Sequence, residues 1–143
     1  MRSLADKENL RKRAEKERKE AELYGGTKLA RDLLSVYDNM GRALENIDDG
    51  LKEQAKALVE GIELTQRELI SVFNKHNIDQ IVPDIGEKFD PKWHQAMFES
   101  PVPETKKGEI IQVMVNGFRI SDRLLRAAQV GVSSFEETSD TNE

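Results

Sequence analysis

The sequence has 143 residues, 34% of them charged and 37% hydrophobic, with 27 acids against 22 bases for a net charge of −5. That length allows one ordinary domain or two small ones. No apolar run approaches the ~18 residues of a spanning helix. With 0 Cys there is no disulfide framework, zinc ribbon or thiol nucleophile, and the acidic balance argues against nucleic acid as a partner.

The N-terminus lacks the apolar core of a secretory leader, so a cytoplasmic protein is expected. In residues 6–22, 13 of 17 side chains are charged, and the signs interleave at helical spacing, as in Glu8/Lys12 and Glu15/Lys19. A solvated helix follows. A basic DNA-reading region is the alternative, and the interleaved acids oppose it. Gly25-Gly26 then interrupts the run as a kink, a hinge or a helix end, since each Gly costs about 1 kcal/mol in a helix interior.

Beyond the glycines, Leu29, Leu33, Val36, Met40, Leu44 and Ile47 fall into a 4-3-4-4-3 register. Asp48-Asp49-Gly50 reads as a turn between antiparallel helices. Leu51, Ala55, Leu58, Ile62, Thr65, Leu69, Val72 and His76 continue at 4-3 spacing without a slip, the seam of a helix in a bundle or coiled coil. Val59, Ile70 and Phe73 widen this second stripe. A helix over residues 5–47 would be roughly 65 Å long, whereas a compact chain of this length has a radius of gyration of about 14–15 Å. Its own chain cannot wrap it, so a homodimer with a four-helix bundle is expected, with the seam residues at the interface.

After Asn77 the texture changes, and all 4 Pro fall between residues 83 and 103. Short β-type runs cover 78–82, 95–99, 109–116, 118–120 and 124–132. The run 109–116 alternates only in part and is expected to be buried on both faces. Residues 129–133 alternate cleanly, and Asn116-Gly117 signals a hairpin turn. The expected organisation is α+β: a helical stalk and dimerisation bundle over 1–77, a compact all-β domain over 78–134, and a disordered acidic tail over 135–143.

No catalytic or metal-ligating constellation is legible, so neither an enzyme nor a cofactor is expected. His76 ends a heptad seam. His94 is expected to make a structural hydrogen bond. Arg119, Arg123 and Arg126 read either as ordinary surface charge or as a protein-binding surface.

Several motifs resemble one family. Phe89-Asp90-Pro91-Lys92-Trp93-His94-Gln95-Ala96-Met97 is similar to a GrpE segment. Gly108-Glu109-Ile110-Ile111-Gln112-Val113 and the stretch from Asn116-Gly117-Phe118 to Gln129-Val130-Gly131-Val132 resemble its closing signature. Glu8-Asn9-Leu10-Arg11, Arg42-Ala43-Leu44-Glu45 and Glu60-Gly61-Ile62-Glu63-Leu64-Thr65 match helical segments in the same order. The resemblance implies a homodimeric nucleotide exchange factor that opens the ATPase domain of a DnaK-type chaperone and releases ADP, without itself binding nucleotide, nucleic acid or membrane. It implicates Arg123, Met114, Phe89 and Pro91 as β-domain contacts, Arg42 and Glu45 as contacts on the long helix, and Gly61 as a point of close packing. It also implies an acidic segment and more stalk before Asn9, where eight residues stand here, so either a truncated chain or an unusually short member is expected. A paired helix weakly apolar at Leu10, Ala14 and Ala21 is expected to melt before the β-domain. The alternative reading is a coiled-coil adaptor with a β-rich head and no effect on nucleotide release.

Overall fold

The computed structural model describes residues 3–137. Most of the expected disordered tail, residues 138–143, lies outside the described residues. The chain divides into two compact units between Asn77 and Ile78.

The first unit is helical. Helix α1 (Leu4–Tyr24) starts at Ser3, whose Oγ accepts the Asp6 amide at 3.3 Å. Its first turns are exposed on every side, as the lack of an apolar stripe requires. At Gly25-Gly26 the α-helix is interrupted, and α2 (Thr27–Glu45) follows. Gly25 keeps right-handed helical dihedrals (φ −61°, ψ −27°), whereas Gly26 leaves them for the bridge region (φ −89°, ψ 7°). The hydroxyl of Thr27 donates to the Tyr24 carbonyl at 2.7 Å, bridging the interruption. The long N-terminal helix expected over 5–47 is present as α1 and α2, bent at Gly25-Gly26 and ending at Glu45.

Asp48-Asp49-Gly50 is likewise more than a turn. Asp48 caps a short helix α3 (Asp49–Gln54), with its Oδ1 accepting the Leu51 amide at 2.6 Å. At Ala55 the backbone leaves the helix (φ −117°, ψ 37°), and α4 (Lys56–Lys75) begins. The seam from Leu51 to His76 thus has a joint that its unbroken 4-3 spacing conceals. Helix α4 ends at His76, with Asn77 in the left-handed region at φ 63°.

Helices α2 and α4 pack together, but not along the heptad seams. The buried residues are Ala30 and Leu34 on α2 and Val59 and Phe73 on α4, and Gly41 faces the Gln66 amide. At 100° per residue, these positions lie about 90° around each helix from the seam positions. The seams are open in part: Leu29 and Leu58 are each 67% exposed, with Val36, Leu51 and Val72 also exposed, whereas Leu33, Met40, Leu44, Ile47, Ile62 and Leu69 are half-buried.

The second unit holds two three-stranded sheets: β1 (Ile78–Ile81), β4 (Gly117–Ile120) and β5 (Arg123–Arg126) in the order β1-β4-β5, and β2 (His94–Ser100), β6 (Ala128–Ser133) and β3 (Ile110–Val115) in the order β2-β6-β3. Pairing is antiparallel except between β2 and β6. Ile110, Ala128, Val130 and Val132 form the core of the second sheet, with Ile81, Phe89 and Val113 packed against it.

Three expectations are corrected here. The run 124–132 is two strands in different sheets, parted at Ala127. Asn116-Gly117 makes no hairpin, because β3 and β4 pair with other strands. Gly117 is required for another reason. A Cβ there would stand 2.5 Å from the Ala128 nitrogen and 2.8 Å from the Arg126 oxygen, where the chain passes from one sheet to the other. Burial of β3 and β6 is also the reverse of the sequence reading. Strand β3, expected to be covered on both faces, is an edge with alternating exposure, whereas β6, which alternates in sequence, is central and buried along most of its length.

Candidate functional site: a cation-flanked cavity on the β-unit

The segment Phe89-Asp90-Pro91-Lys92-Trp93-His94 is built around Asp90. Its carbonyl accepts the amides of Trp93 (3.1 Å) and His94 (2.8 Å), and its Oδ1 accepts the amide of Lys92 at 3.0 Å. Its own amide donates to His94 Nδ1 at 2.9 Å. That bond leaves Nε2 as the protonated nitrogen of the neutral ring, facing Glu87 Oε2 at 3.8 Å. His94 is 8% exposed, and its role is structural: it pins the loop from inside. The loop is also tied at both ends, through Phe89 N–H to Gly108 O at 2.9 Å and Ala128 N–H to Trp93 O at 3.0 Å.

This bonding fixes Trp93 at a partly exposed position. The Lys92 ammonium lies 4.8 Å from the indole ring centroid, and the Arg119 guanidinium of β4 lies 5.5 Å from it. Both distances are within cation–π range. Beside the indole opens a cavity of about 430 Å³, lined by the apolar Ile81, Val82 and Pro83 together with Glu87, Lys88, Asp90, His94 and Arg119. Among the described residues, no carboxylate lies within ion-pair distance of Lys88, Lys92 or Arg119.

The residues implicated by the resemblance are distributed as follows. Pro91, Met114 and Arg123 are exposed on the second unit. Phe89 is partly buried and packs on the core, with its ring centroid 5.9 Å from that of His94, so it shapes the loop more than it offers surface. Arg42 and Glu45 are exposed on α2, three residues apart on one face and turned away from the Leu29–Met40 seam; Arg42 donates to Asn39 Oδ1 at 3.0 Å. Gly61 is exposed, and a Cβ there would meet nothing within 4 Å in this chain. Of the arginine cluster, Arg126 is structural: its Nε donates to Asn116 O at 3.0 Å and its guanidinium covers the buried Phe118 ring.

Sequence reading placed Trp93 in one motif and Arg119 in another and had no means of joining them. Arg119 stands on β4, paired with Asp79 and Leu124, and the fold brings its guanidinium to the indole from the loop before β2. Elsewhere, Lys107 is held above the ordinary lysine range by its hydrogen bond to Glu136 (2.9 Å) and the attraction of that carboxylate.

No helix among the described residues is long and apolar enough to cross a membrane. Comparison with known proteins agrees with the motifs. The GrpE family profile matches residues 1–134. The chain is 65% identical over 134 residues to Protein GrpE of Cereibacter sphaeroides, covering 94% of this chain and 75% of that one. It is 43% identical over 141 residues to Protein GrpE of Parvibaculum lavamentivorans (96% and 66% covered) and 45% identical over 137 residues to that of Rhodopseudomonas palustris (93% and 66% covered). The chain thus spans about two thirds to three quarters of the length of these relatives. With a matching family profile over nearly its whole length, helices followed by a β-unit, and each motif in order, the chain belongs to the GrpE family of co-chaperones.

Proposed function

We propose that the protein is a nucleotide exchange factor that binds the ATPase domain of a DnaK-type chaperone as a homodimer and promotes release of ADP. The observation that carries the reading is the family match over residues 1–134. Two features support it. Met114, Pro91 and Arg123 are each exposed on the β-unit, and arginine is among the residue types enriched at binding hot spots. The partly open seams of α2 and α4 leave a row of leucines and valines for a second copy.

The mechanism needs no covalent step. The factor binds the open ATPase domain more tightly than the closed one, and each tenfold weakening of ADP requires about 1.4 kcal/mol of that difference. Reciprocity then makes incoming nucleotide weaken the factor equally, so the complex turns over. Arg42 and Glu45 on α2 serve as a further contact in this reading, and Gly61 keeps its face of α4 thin for an approaching chain.

Stopped-flow release of labelled ADP from a DnaK-type chaperone tests the proposal. Acceleration by the unaltered protein is expected, reduced in Arg123→Ala while the dimer persists in sedimentation. An ADP release rate unchanged by the protein favours the adaptor reading instead.

A further inference from the structure

The cavity beside Trp93 has a charge pattern that the fold itself does not use. Two exposed acids line it, each engaged within the loop: Asp90 Oδ1 accepts the Lys92 amide, and Glu87 Oε2 lies 3.8 Å from His94 Nε2. Lys88 and Arg119 line it as well, and Lys92 flanks it across the indole. Lys92 and Arg119 rest against the indole, and neither they nor Lys88 has a carboxylate within ion-pair distance among the described residues. Cationic side chains held against an aromatic face are already oriented, so less is lost when they take up a ligand. A guanidinium in that position offers a paired fork suited to a carboxylate. The apolar wall of Ile81, Val82 and Pro83 would cover the stem of such a side chain rather than its charge.

We propose that this cavity receives an acidic side chain of the chaperone's ATPase domain, with Trp93 as the anchoring surface and Arg119 as the specificity-determining cation. The inference rests on the exchange-factor reading above and adds to it two residues and the chemistry of what they meet. An acidic protein side chain is favoured over a free anion because the cavity joins an apolar wall and an indole to its cations, and because Pro91 stands exposed in the same loop.

The chain contains 1 Trp, so 5-fluorotryptophan incorporation places one fluorine NMR signal in the cavity. Titration with the ATPase domain is expected to shift that signal. Trp93→Ala and Arg119→Ala are each expected to weaken binding about tenfold or more, with Arg119→Lys recovering part of the loss and Arg119→Glu none. Trp93→Phe, which keeps a ring in the loop, controls for folding and is expected to bind between Trp93→Ala and the unaltered protein. If the domain binds and ADP release is accelerated while the fluorine signal stays fixed and both alanine variants bind normally, the cavity proposal is overturned and the exchange-factor reading stands. If inorganic phosphate alone moves the signal to the same position, the cavity is a free-anion site and the proposal also falls. If the unaltered protein does not bind the ATPase domain at all, both readings fall together.

Discussion

The ring of Phe98 lies directly over Gly131, its neighbour across the parallel β2–β6 pairing, leaving no room for a Cβ on residue 131. The pairing register shifts between Ala96 and Phe98, setting the ring over the glycine. Gly131→Ala is therefore expected to destabilise the protein by about 1–3 kcal/mol, and Phe98→Ala in the same molecule should relieve much of that loss. The test is a double-mutant cycle by urea unfolding, with strong non-additivity expected. Gly117→Ala is the contrasting case: its neighbours are backbone atoms of Arg126, Ala127 and Ala128, so no side-chain truncation should rescue it.

The same glycines show where the sequence was legible and where it was not. Period 3.6 against short apolar runs separated helices from strands, and the change of texture near Asn77 located the division. Strand order is a long-range property and left no such mark. Residues 129–133 alternate in sequence, yet Gly131 lies under Phe98 and Ser133 is buried against Thr105, so these two positions do not mark a face that meets water. Asn116-Gly117 satisfies a crossing backbone rather than a turn. Ala55 carries no Pro or Gly to announce its break. The site was visible only in pieces, since Trp93 and Arg119 are 26 positions apart and meet only in the folded β-unit.

Two apolar faces about 90° apart on α2 and α4 predict separable defects. Leu34 is 2% exposed and belongs to the face used inside the chain, so Leu34→Ala should cost about 2–5 kcal/mol of stability. Leu29 and Leu58 lie on the open seams. Leu29→Lys with Leu58→Lys should turn a dimer into monomers in analytical ultracentrifugation. Unchanged sedimentation in that pair would remove the seam from the interface.

The Gly25-Gly26 interruption predicts unlike responses at adjacent positions. A Cβ on Gly26 meets nothing within 4 Å, and its φ of −89° suits any residue, so Gly26→Ala should stabilise the helical unit by up to about 1 kcal/mol. A Cβ on Gly25 would stand 2.6 Å from the Ala21 carbonyl oxygen. Gly25→Ala must therefore shift the backbone, either straightening α1 into α2 or fraying it. Helical circular dichroism through a thermal scan distinguishes the two. An increase in signal with a later helical transition indicates straightening, and a loss indicates fraying. Identical melting for both variants would mean that neither glycine is held to its position.

Ser121 opens the two-residue connection between Ile120 and Arg123, which face each other across the β4–β5 hairpin, and it stands in the left-handed region at φ 49°. A side chain there costs about 1 kcal/mol or more, whereas Gly adopts this conformation freely but loses more backbone freedom on folding, by roughly 0.5–1 kcal/mol. The two effects nearly cancel, so Ser121→Gly should leave stability within about 0.5 kcal/mol of the unaltered protein. Ser121→Val adds a β-branched side chain to a strained backbone and should destabilise by about 1–3 kcal/mol. Because the hairpin tip sets the direction of Arg123, the pair also tests the proposed chaperone contact. Ser121→Gly should preserve acceleration of ADP release, and Ser121→Val should lower it in proportion to the disturbance of the tip. Full activity in Ser121→Val, together with the expected loss of stability, would show that the orientation of Arg123 does not govern exchange.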